Sequence, residues 1–194
     1  MNTMNAELRA FHGDPAIKAK YLARIAAHRA ADELVKGRGW EDGKGCAIGC
    51  TLENYDHAQY PIELGIPEML AHLEDMIFEE LPNDQAMLWP ERFLAAIKPG
   101  ADLSLVGWKF QYWLLTRSGI GAYDHPLVKD AVAQVAAVLE PLTRGLPVDE
   151  SAARSAAESA ESAAWSAARS AVASAESAAF ATMADHIIAL LRAQ

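Results

Sequence analysis

The feature that most constrains this chain is a C-terminal tail composed almost entirely of alanine and serine. Its centre is an internal repeat of fifteen residues: Ser155–Arg169 reads SAAESAESAAWSAAR and Ser170–Ala184 reads SAVASAESAAFATMA. Alanine is the strongest helix former, and serine is tolerated in helices. One aromatic residue, Trp165 or Phe180, occupies the same position of each copy. We therefore predict an ordered helix whose thin alanine face lets another helix approach closely.

The rest of the chain carries many helix signals and few strand signals. Asp14-Pro15 is an N-cap followed by proline at the first helical position, and it predicts a helix that ends near Lys36. β-branched residues are scarce and do not alternate, so strands are not expected. The predicted fold class is all-α. A compact bundle of about five to six helices forms a core domain over residues 1–147, and the long Ala/Ser-rich helix spans residues 148–194.

Charge and hydropathy exclude several classes of function. The net charge is -9 and the pI is about 5.1, whereas proteins that bind DNA or RNA need a basic surface to displace counterions. No run of about 18 apolar residues is present, so no membrane span is predicted. The polar N-terminus lacks a signal peptide, and two cysteines do not make a disulfide framework. The expected location is therefore the cytoplasm.

Two cysteines and their neighbours form the first candidate site. Cys46 and Cys50 lie four residues apart, with Lys44 just before them and His57 shortly after. Two thiols one helical turn apart could share a metal ion, and His57 is a candidate third ligand for zinc. The second Cys/His pair that is usual in structural zinc sites is absent, so buried structural thiols are favoured, and a redox pair is a further alternative. The glycines beside the cysteines indicate a close backbone approach to another helix or to a ligand.

A histidine and an aspartate on the first predicted helix form the second candidate site. His28 and Asp32 lie four residues apart, on the same side as the apolar residues Tyr21 and Ile25. Polar groups on an apolar face need partners, so a buried hydrogen bond between the two is the simplest interpretation. A ligand pocket that faces the interior of the bundle is the alternative.

A charged face is predicted on the helix that follows Pro67. His72, Asp75 and Glu79 share this face, and together they resemble a carboxylate–histidine metal set. The core stripe of the helix lies elsewhere, so a solvated charged face is the favoured interpretation. Glu80 lies on the apolar side and is expected to need a basic partner.

The most apolar window of the chain contains a group of aromatic residues. These point in several directions around one helix and comprise Trp108, Phe110, Tyr112 and Trp113. A helix that is apolar nearly all round is usually buried at the centre of a fold. We therefore predict core positions for this group, with a wall for stacking a ligand as the alternative.

Several sequence blocks resemble a family of uncharacterised bacterial and phage-type proteins. They are the segment Trp40–Thr51 (WEDGKGCAIGCT), the turn Glu63–Pro67 (ELGIP), and the segments Leu70–Asp75 and Trp89–Leu94. The resemblance extends over roughly residues 21–115, and the proteins of that family often end in Ala/Ser-rich helical tails similar to this one. It carries no assigned activity and no catalytic residues, but it implies that the glycine–cysteine segment and the ELGIP turn belong to one module.

These observations favour a non-enzymatic protein that binds a protein partner or a small ligand, with a possible homodimer through the C-terminal helix. The expected pocket is formed by the Gly/Cys segment with His28, Asp32 and His57. One alternative is a metal-dependent enzyme that uses Cys46, Cys50 and His57, or His28 and Asp32. Another is a phage-type inhibitor or sponge that sequesters a host protein or an anionic nucleotide, with basic residues lining its pocket. The candidates for that lining are Arg24, Arg38 and Lys44.

Overall fold

The computed structural model describes residues 8–116, 126–149, 151 and 176–194 of the chain. Over these residues the backbone is predominantly α-helical with one two-stranded hairpin, which confirms the all-α fold class. The chain divides into two compact units. The first extends to Ser104 and also contains Phe180–Gln194, and the second extends from Leu105 to Ala179. The domain boundary expected after residue 147 is not tested and stays a prediction.

The described elements begin with a 3-10 turn at Ala10–Gly13 and end with a C-terminal helix. In chain order they are α1 (Pro15–Ala30), β1 (Trp40–Glu41), β2 (Lys44–Gly45), α2 (Ala47–Leu52), α3 (Gln59–Leu64), α4 (Glu68–Glu80), α5 (Asn83–Ala86), α6 (Trp89–Ala96), α7 (Val106–Thr116), α8 (Pro126–Leu142) and α9 (Glu176–Arg192). Helices α1 to α6 and the hairpin belong to the first unit, and α7 and α8 belong to the second.

Two helices begin where the local sequence indicates. The Asp14 carboxylate accepts a hydrogen bond from the Ala16 amide at 2.8 Å, and Pro15 occupies the first helical position of α1. Helix α4 begins directly after Pro67 and ends before Pro82. Caps and prolines act through neighbouring backbone groups, so a local pattern is sufficient to predict these boundaries.

The end of α1 differs from its prediction. The helix ends at Ala30 rather than near Lys36, and Asp32 adopts a left-handed φ of 54°. The following segment pairs with strand β2 instead: the Val35 amide donates to the Gly45 carbonyl at 2.8 Å. Hydrogen bonds to a distant segment thus replace the helical ones, and no pattern within the helix itself indicates them.

The hairpin corrects the expectation that strands are absent. Strands β1 and β2 are antiparallel, with Trp40 opposite Gly45 and Glu41 opposite Lys44. The two turn residues, Asp42 and Gly43, have φ values of 52° and 76°. An Asp-Gly pair is the preferred sequence for such a turn because aspartate tolerates a positive φ and glycine adopts it freely.

Glycines hold the hairpin tightly against the start of α2. A Cβ atom at Gly49 would lie 1.8 Å from the carbonyl oxygen of Gly39, and one at Gly45 would lie 2.3 Å from the same oxygen. The close backbone approach predicted beside the cysteines is therefore confirmed. The partner is the segment at Gly39, just before β1, rather than the other helix or the ligand that was expected, so these glycines serve packing.

The core of the first unit lies between α1, α2, α4 and α6, and α2 packs on α4. Its largest fully buried side chains are aromatic and include Trp89, Tyr21, Tyr60, Phe78 and Phe93. The Trp89 indole donates a hydrogen bond to the backbone carbonyl of Glu74 at 3.0 Å. This packing buries polar side chains of α4, among them Glu74 and Asp75.

In the second unit, α7 packs against α8. Phe110 is fully buried, but Trp108, Tyr112 and Trp113 are only half-buried. The prediction that this whole aromatic group lies in the core is therefore wrong for three of its four members. A neighbouring helix covers one face of α7, and the aromatic residues point in more than one direction.

The C-terminal helix α9 is anchored by its last turns. Its buried residues recur at helical spacing and are Ala184, Ile187, Ile188 and Leu191. On the exposed side, Asp185 forms an ion pair with Arg92 at 2.9 Å. Most of the alanine face predicted for the tail falls on residues 152–175, outside the described residues, so the single long helix stays a prediction. None of the described helices is long and apolar enough to cross a membrane.

Candidate metal centre

Four side chains with metal-binding chemistry lie along one face of helix α4: Glu68, His72, Asp75 and Glu79. Their spacing of three or four residues brings each close to the next along the helix. The expectation that this face is solvated is wrong for Asp75, which is only 9% exposed. Because α4 packs on α2, the C-terminal half of the face meets the start of α2.

Cys46 completes a cluster with the carboxylates of α4. It is the N-cap of α2, has an extended backbone, and is 1% exposed. Its Sγ atom, one oxygen of Asp75 and one oxygen of Glu79 all lie within 4.8 Å of one another. Among the described residues, one group of three or more potential metal ligands has its ligand atoms this close together, and it is this one. Thiolate and carboxylate are both zinc ligands.

The two carboxylate oxygens of Asp75 have different surroundings. Oδ2 accepts a hydrogen bond from the Tyr55 hydroxyl at 3.0 Å and lies 3.1 Å from Nε2 of His57. Oδ1 is buried and has no hydrogen-bond partner within the described part of the chain. Burial of a polar oxygen without a partner is unfavourable. Asp75 therefore has one buried oxygen, Oδ1, that can accept a further partner.

The protonation of the cluster follows from its burial. Burial, and then the neighbouring Asp75 carboxylate, raises the pKa of the Cys46 thiol well above its usual range. Burial also raises the pKa of Glu79, although the Gly37 amide, which donates to Oε2 at 2.8 Å, partly opposes this. The ion-free thiol is thus protonated at neutral pH. This argues against the redox alternative, because the reactive form of cysteine is the thiolate.

Cys50 does not join Cys46 in this cluster. Its thiol donates to the carbonyl oxygens of Gly45 at 3.3 Å and Glu33 at 3.5 Å, and burial raises its pKa to about 11. A shared metal ion was predicted on the assumption that Cys46 and Cys50 lie on one turn of the same helix. Cys46 instead precedes the helix with extended backbone geometry, so the two side chains leave in different directions.

His57 lies at the edge of the cluster rather than within the group of mutually close ligand atoms. Besides its contact with Asp75, its ring stacks on that of His72, with ring centroids 4.1 Å apart and planes 12° apart. Lys44 lies exposed on β2. Of the site residues predicted around the cysteines, Cys46 and His57 therefore both lie next to Asp75, whereas Lys44 and Cys50 do not join them.

The predicted pair of His28 and Asp32 is wrong. Nδ1 of His28 lies 2.6 Å from a carboxylate oxygen of Glu33, and Nε2 lies 3.8 Å from one of Glu53. Asp32 is exposed. Since α1 ends at Ala30, a spacing of four residues no longer places the two side chains on one helical face.

The cations proposed for anion capture are largely engaged within the chain. Arg24 donates to the Thr51 carbonyl at 2.9 Å and pairs with Glu53 at 3.3 Å. Arg38 pairs with Glu41 at 3.6 Å. An anion would have to compete with the chain's own carboxylates for both arginines, which disfavours the nucleotide-sponge alternative.

A second buried polar group lies on the inward face of α4. Glu74 is fully buried, and its Oε2 accepts a hydrogen bond from the Tyr60 hydroxyl at 2.7 Å. Oε1 and the Thr51 hydroxyl have no partner among the described residues. Burial raises the pKa of Glu74 to about 8. The sequence interpretation chose Glu80 as the acid on the apolar side, but Glu80 is exposed because the inward face runs through Glu74.

An open surface cavity of about 390 Å³ lies elsewhere in the first unit. Its lining combines charged and apolar side chains: Arg29, Asp32, Leu34, Asp84, Met87 and Leu88. Arg29 is engaged by Glu91 at 2.8 Å, and Leu88 is 47% exposed. The cavity shares no residue with the Cys46 cluster.

The candidate site thus combines predicted residues with residues that the sequence interpretation had assigned to solvent. Cys46 and His57 meet Asp75 and Glu79, while His28, Asp32, Lys44 and Cys50 lie outside this group. The signal that could have found it was the carboxylate–histidine spacing on α4. Comparisons with protein-family models, curated proteins and solved structures find no match to this chain.

Proposed function

We propose that the protein binds a divalent transition-metal ion, with Cys46, Asp75 and Glu79 as its ligands. The observation that carries this proposal is a buried carboxylate, Asp75, whose Oδ1 has no partner among the described residues and which lies in one cluster with a buried thiol and a second carboxylate. A cation there would pair with Oδ1 and would favour the thiolate form of Cys46. The buried oxygen that lacks a partner in the ion-free protein would thus gain one, and Cys46 would release its proton to solvent.

The donor set fits zinc best. Thiolate selects borderline and soft ions over magnesium and calcium, and zinc accepts sulfur and carboxylate ligands together. In a tetrahedral site with ordinary zinc–ligand distances, neighbouring sulfur and oxygen ligands are roughly 3.5 Å apart. The three ligand atoms lie within 4.8 Å of one another. Small side-chain rotations would therefore close them around an ion.

Tyr55 and His57 have a positioning role in this proposal. Both contact Oδ2 of Asp75, and this fixes the orientation of the carboxylate while Oδ1 stays available for an ion. Hydrogen bonds of this kind orient ligands in metal sites and tune their affinity. This assignment replaces the expectation that His57 is one of the ligands that hold the bound ion.

The test compares the two cysteines, which serve as matched variants. The purified protein is stripped of metal and titrated with Zn²⁺ by calorimetry and with Co²⁺ by absorption, where thiolate coordination produces a charge-transfer band. We expect stoichiometric binding that Cys46→Ser and Asp75→Asn abolish and that Cys50→Ser retains. Circular dichroism confirms that each variant is folded. Absence of binding by the unaltered protein, or equal loss in both cysteine variants, would overturn the proposal.

The surface cavity supports a second candidate function, binding of a small organic ligand without catalysis. Its apolar side chains and the carboxylates of Asp32 and Asp84 favour a ligand with an aliphatic part and a positive charge. A panel of alkyl amines in thermal unfolding tests this, because a ligand that prefers the native state raises its stability. Stabilisation that Asp84→Asn removes supports the candidate, and no shift across the panel counts against it.

A further inference from the structure

The charged face of α4 continues from the metal centre toward solvent. His72 lies one turn before Asp75 and its side chain is 58% exposed, and Glu68 lies one turn further and is 51% exposed. Nε2 of His72 is 3.6 Å from a carboxylate oxygen of Glu68. The outer half of the face thus carries an imidazole and a carboxylate that water reaches freely.

His57 connects this exposed pair to the buried cluster. Its ring stacks face to face on His72 at 4.1 Å, and its Nε2 lies 3.1 Å from Oδ2 of Asp75. Its side chain is 12% exposed. Potential ligands therefore follow one another inward, from the exposed pair of Glu68 and His72 to the largely buried pair of His57 and Asp75.

The buried cluster is closed on the side of the hairpin. Cys46 is 1% exposed, and the adjacent backbone at Gly49 lies directly against the carbonyl of Gly39. An ion that reaches Cys46 must exchange its water ligands for protein ligands, because this position is closed to solvent. A series of ligands along the path replaces those waters stepwise and lowers the barrier, because no intermediate position leaves the ion without coordination.

Resting on the proposed metal function, we infer that His72 and His57 form the route by which the ion enters and leaves the centre. His72 captures the ion from solvent, and His57 transfers it to Asp75. The site on this view exchanges its ion with the surroundings, unlike a structural zinc site that four ligands enclose permanently.

The inference has a kinetic signature. His72 contacts the ion only during passage, so its loss raises the barrier equally in both directions. We expect His72→Ala to slow both association and dissociation of Zn²⁺ several-fold by the same factor, which leaves the equilibrium affinity unchanged. A residue that merely supported the fold of the site would lower the affinity instead.

The experiment is stopped-flow exchange of Zn²⁺ between the full-length protein and a fluorescent chelator, with the equilibrium affinity measured separately. His72→Ala is compared with His72→Phe, which retains a stacking ring but has no ligand nitrogen. Equal slowing in both variants at unchanged affinity supports the route. Rates restored in His72→Phe would show that only ring packing matters, and unaltered rates or weakened affinity in His72→Ala would also overturn it. Absence of Zn²⁺ binding by the unaltered protein refutes the proposed function itself, so the two failures are distinguishable.

Discussion

The buried carboxyl group of Glu74 allows a quantitative prediction about stability and pH. Burial raises its pKa from 4.5 to about 8, and among the described residues the Tyr60 hydroxyl is the group that donates a hydrogen bond to the carboxylate. The change we consider is Glu74→Gln. Glutamine has nearly the same shape and retains an oxygen that can accept from Tyr60, but it stays neutral at every pH.

The expected direction follows from proton linkage. Below about pH 4.5 Glu74 is protonated in both the folded and the unfolded chain, so its contribution to the free energy of unfolding is constant. Between about pH 4.5 and pH 8 the unfolded chain loses this proton and the folded chain retains it, so stability falls as the pH rises. Above about pH 8 both forms are ionised and the loss levels off.

The size of the effect follows from the two pKa values. The difference between 8 and 4.5 is 3.5 pH units, and at 1.36 kcal/mol per unit this corresponds to about 5 kcal/mol. Because Glu74 is fully buried, solvent screening does not reduce this figure. It is comparable to the whole stability of many domains, which is typically about 5–15 kcal/mol.

The assay is urea unfolding followed by circular dichroism between pH 5 and pH 8.5, with a chelator present so that metal binding does not contribute. We expect the stability advantage of Glu74→Gln over the unaltered protein to grow across this range. Glu80→Gln, an exposed change on the same helix, is the control and should follow the unaltered protein. A stability difference between Glu74→Gln and the unaltered protein that is the same at pH 5 and pH 8 would refute the reasoning.

Three further predictions concern packing and the metal centre. Gly49→Ala should destabilise the protein by about 3 kcal/mol or more in chemical unfolding, because its Cβ would overlap the Gly39 carbonyl. The control is Gly37→Ala, whose Cβ meets nothing within 4 Å. It should cost only about 1–2 kcal/mol, because alanine is strained at the positive φ of this position. Tyr55→Phe should weaken Zn²⁺ binding about ten-fold through loss of one hydrogen bond to Asp75, and unchanged affinity in calorimetry would contradict its positioning role. Leu191→Ala should reduce stability by about 3 kcal/mol, because Leu191 is fully buried. Arg92→Ala breaks an exposed ion pair and should cost under about 1 kcal/mol. The reverse order in thermal unfolding would show that the ion pair anchors α9.

Local chemistry explains which parts of the fold the sequence predicts well. The caps and prolines that begin α1 and α4 act on backbone groups within one turn, so the pattern around Asp14-Pro15 or Pro67 contains the whole interaction. The Asp42-Gly43 turn is equally local. Its hairpin was missed because strands of two residues are too short for an alternating pattern to show.

Burial on α4 depended on which neighbours cover the helix. The sequence shows that His72, Asp75 and Glu79 share one face, but the same spacing suits a solvated face and a ligand face equally well. Glu74 is buried and Glu80 is exposed because the face of α4 that contains Glu74 is the one that packs against the core. The early end of α1 has the same origin, since strand β2 supplies the hydrogen bonds that replace the helical ones.

By itself, the sequence determined the helical class, the main helix starts and the chemical types of the candidate ligands. It also marked Cys46 as a residue with metal chemistry and the nearby glycines as points of close packing. Only the tertiary structure decided that Cys46 meets Asp75 and Glu79 rather than Cys50. The physical reason is that a metal site needs atoms within a few ångströms of one another, and residues so distant along the chain reach that separation only through the packing of α2 on α4.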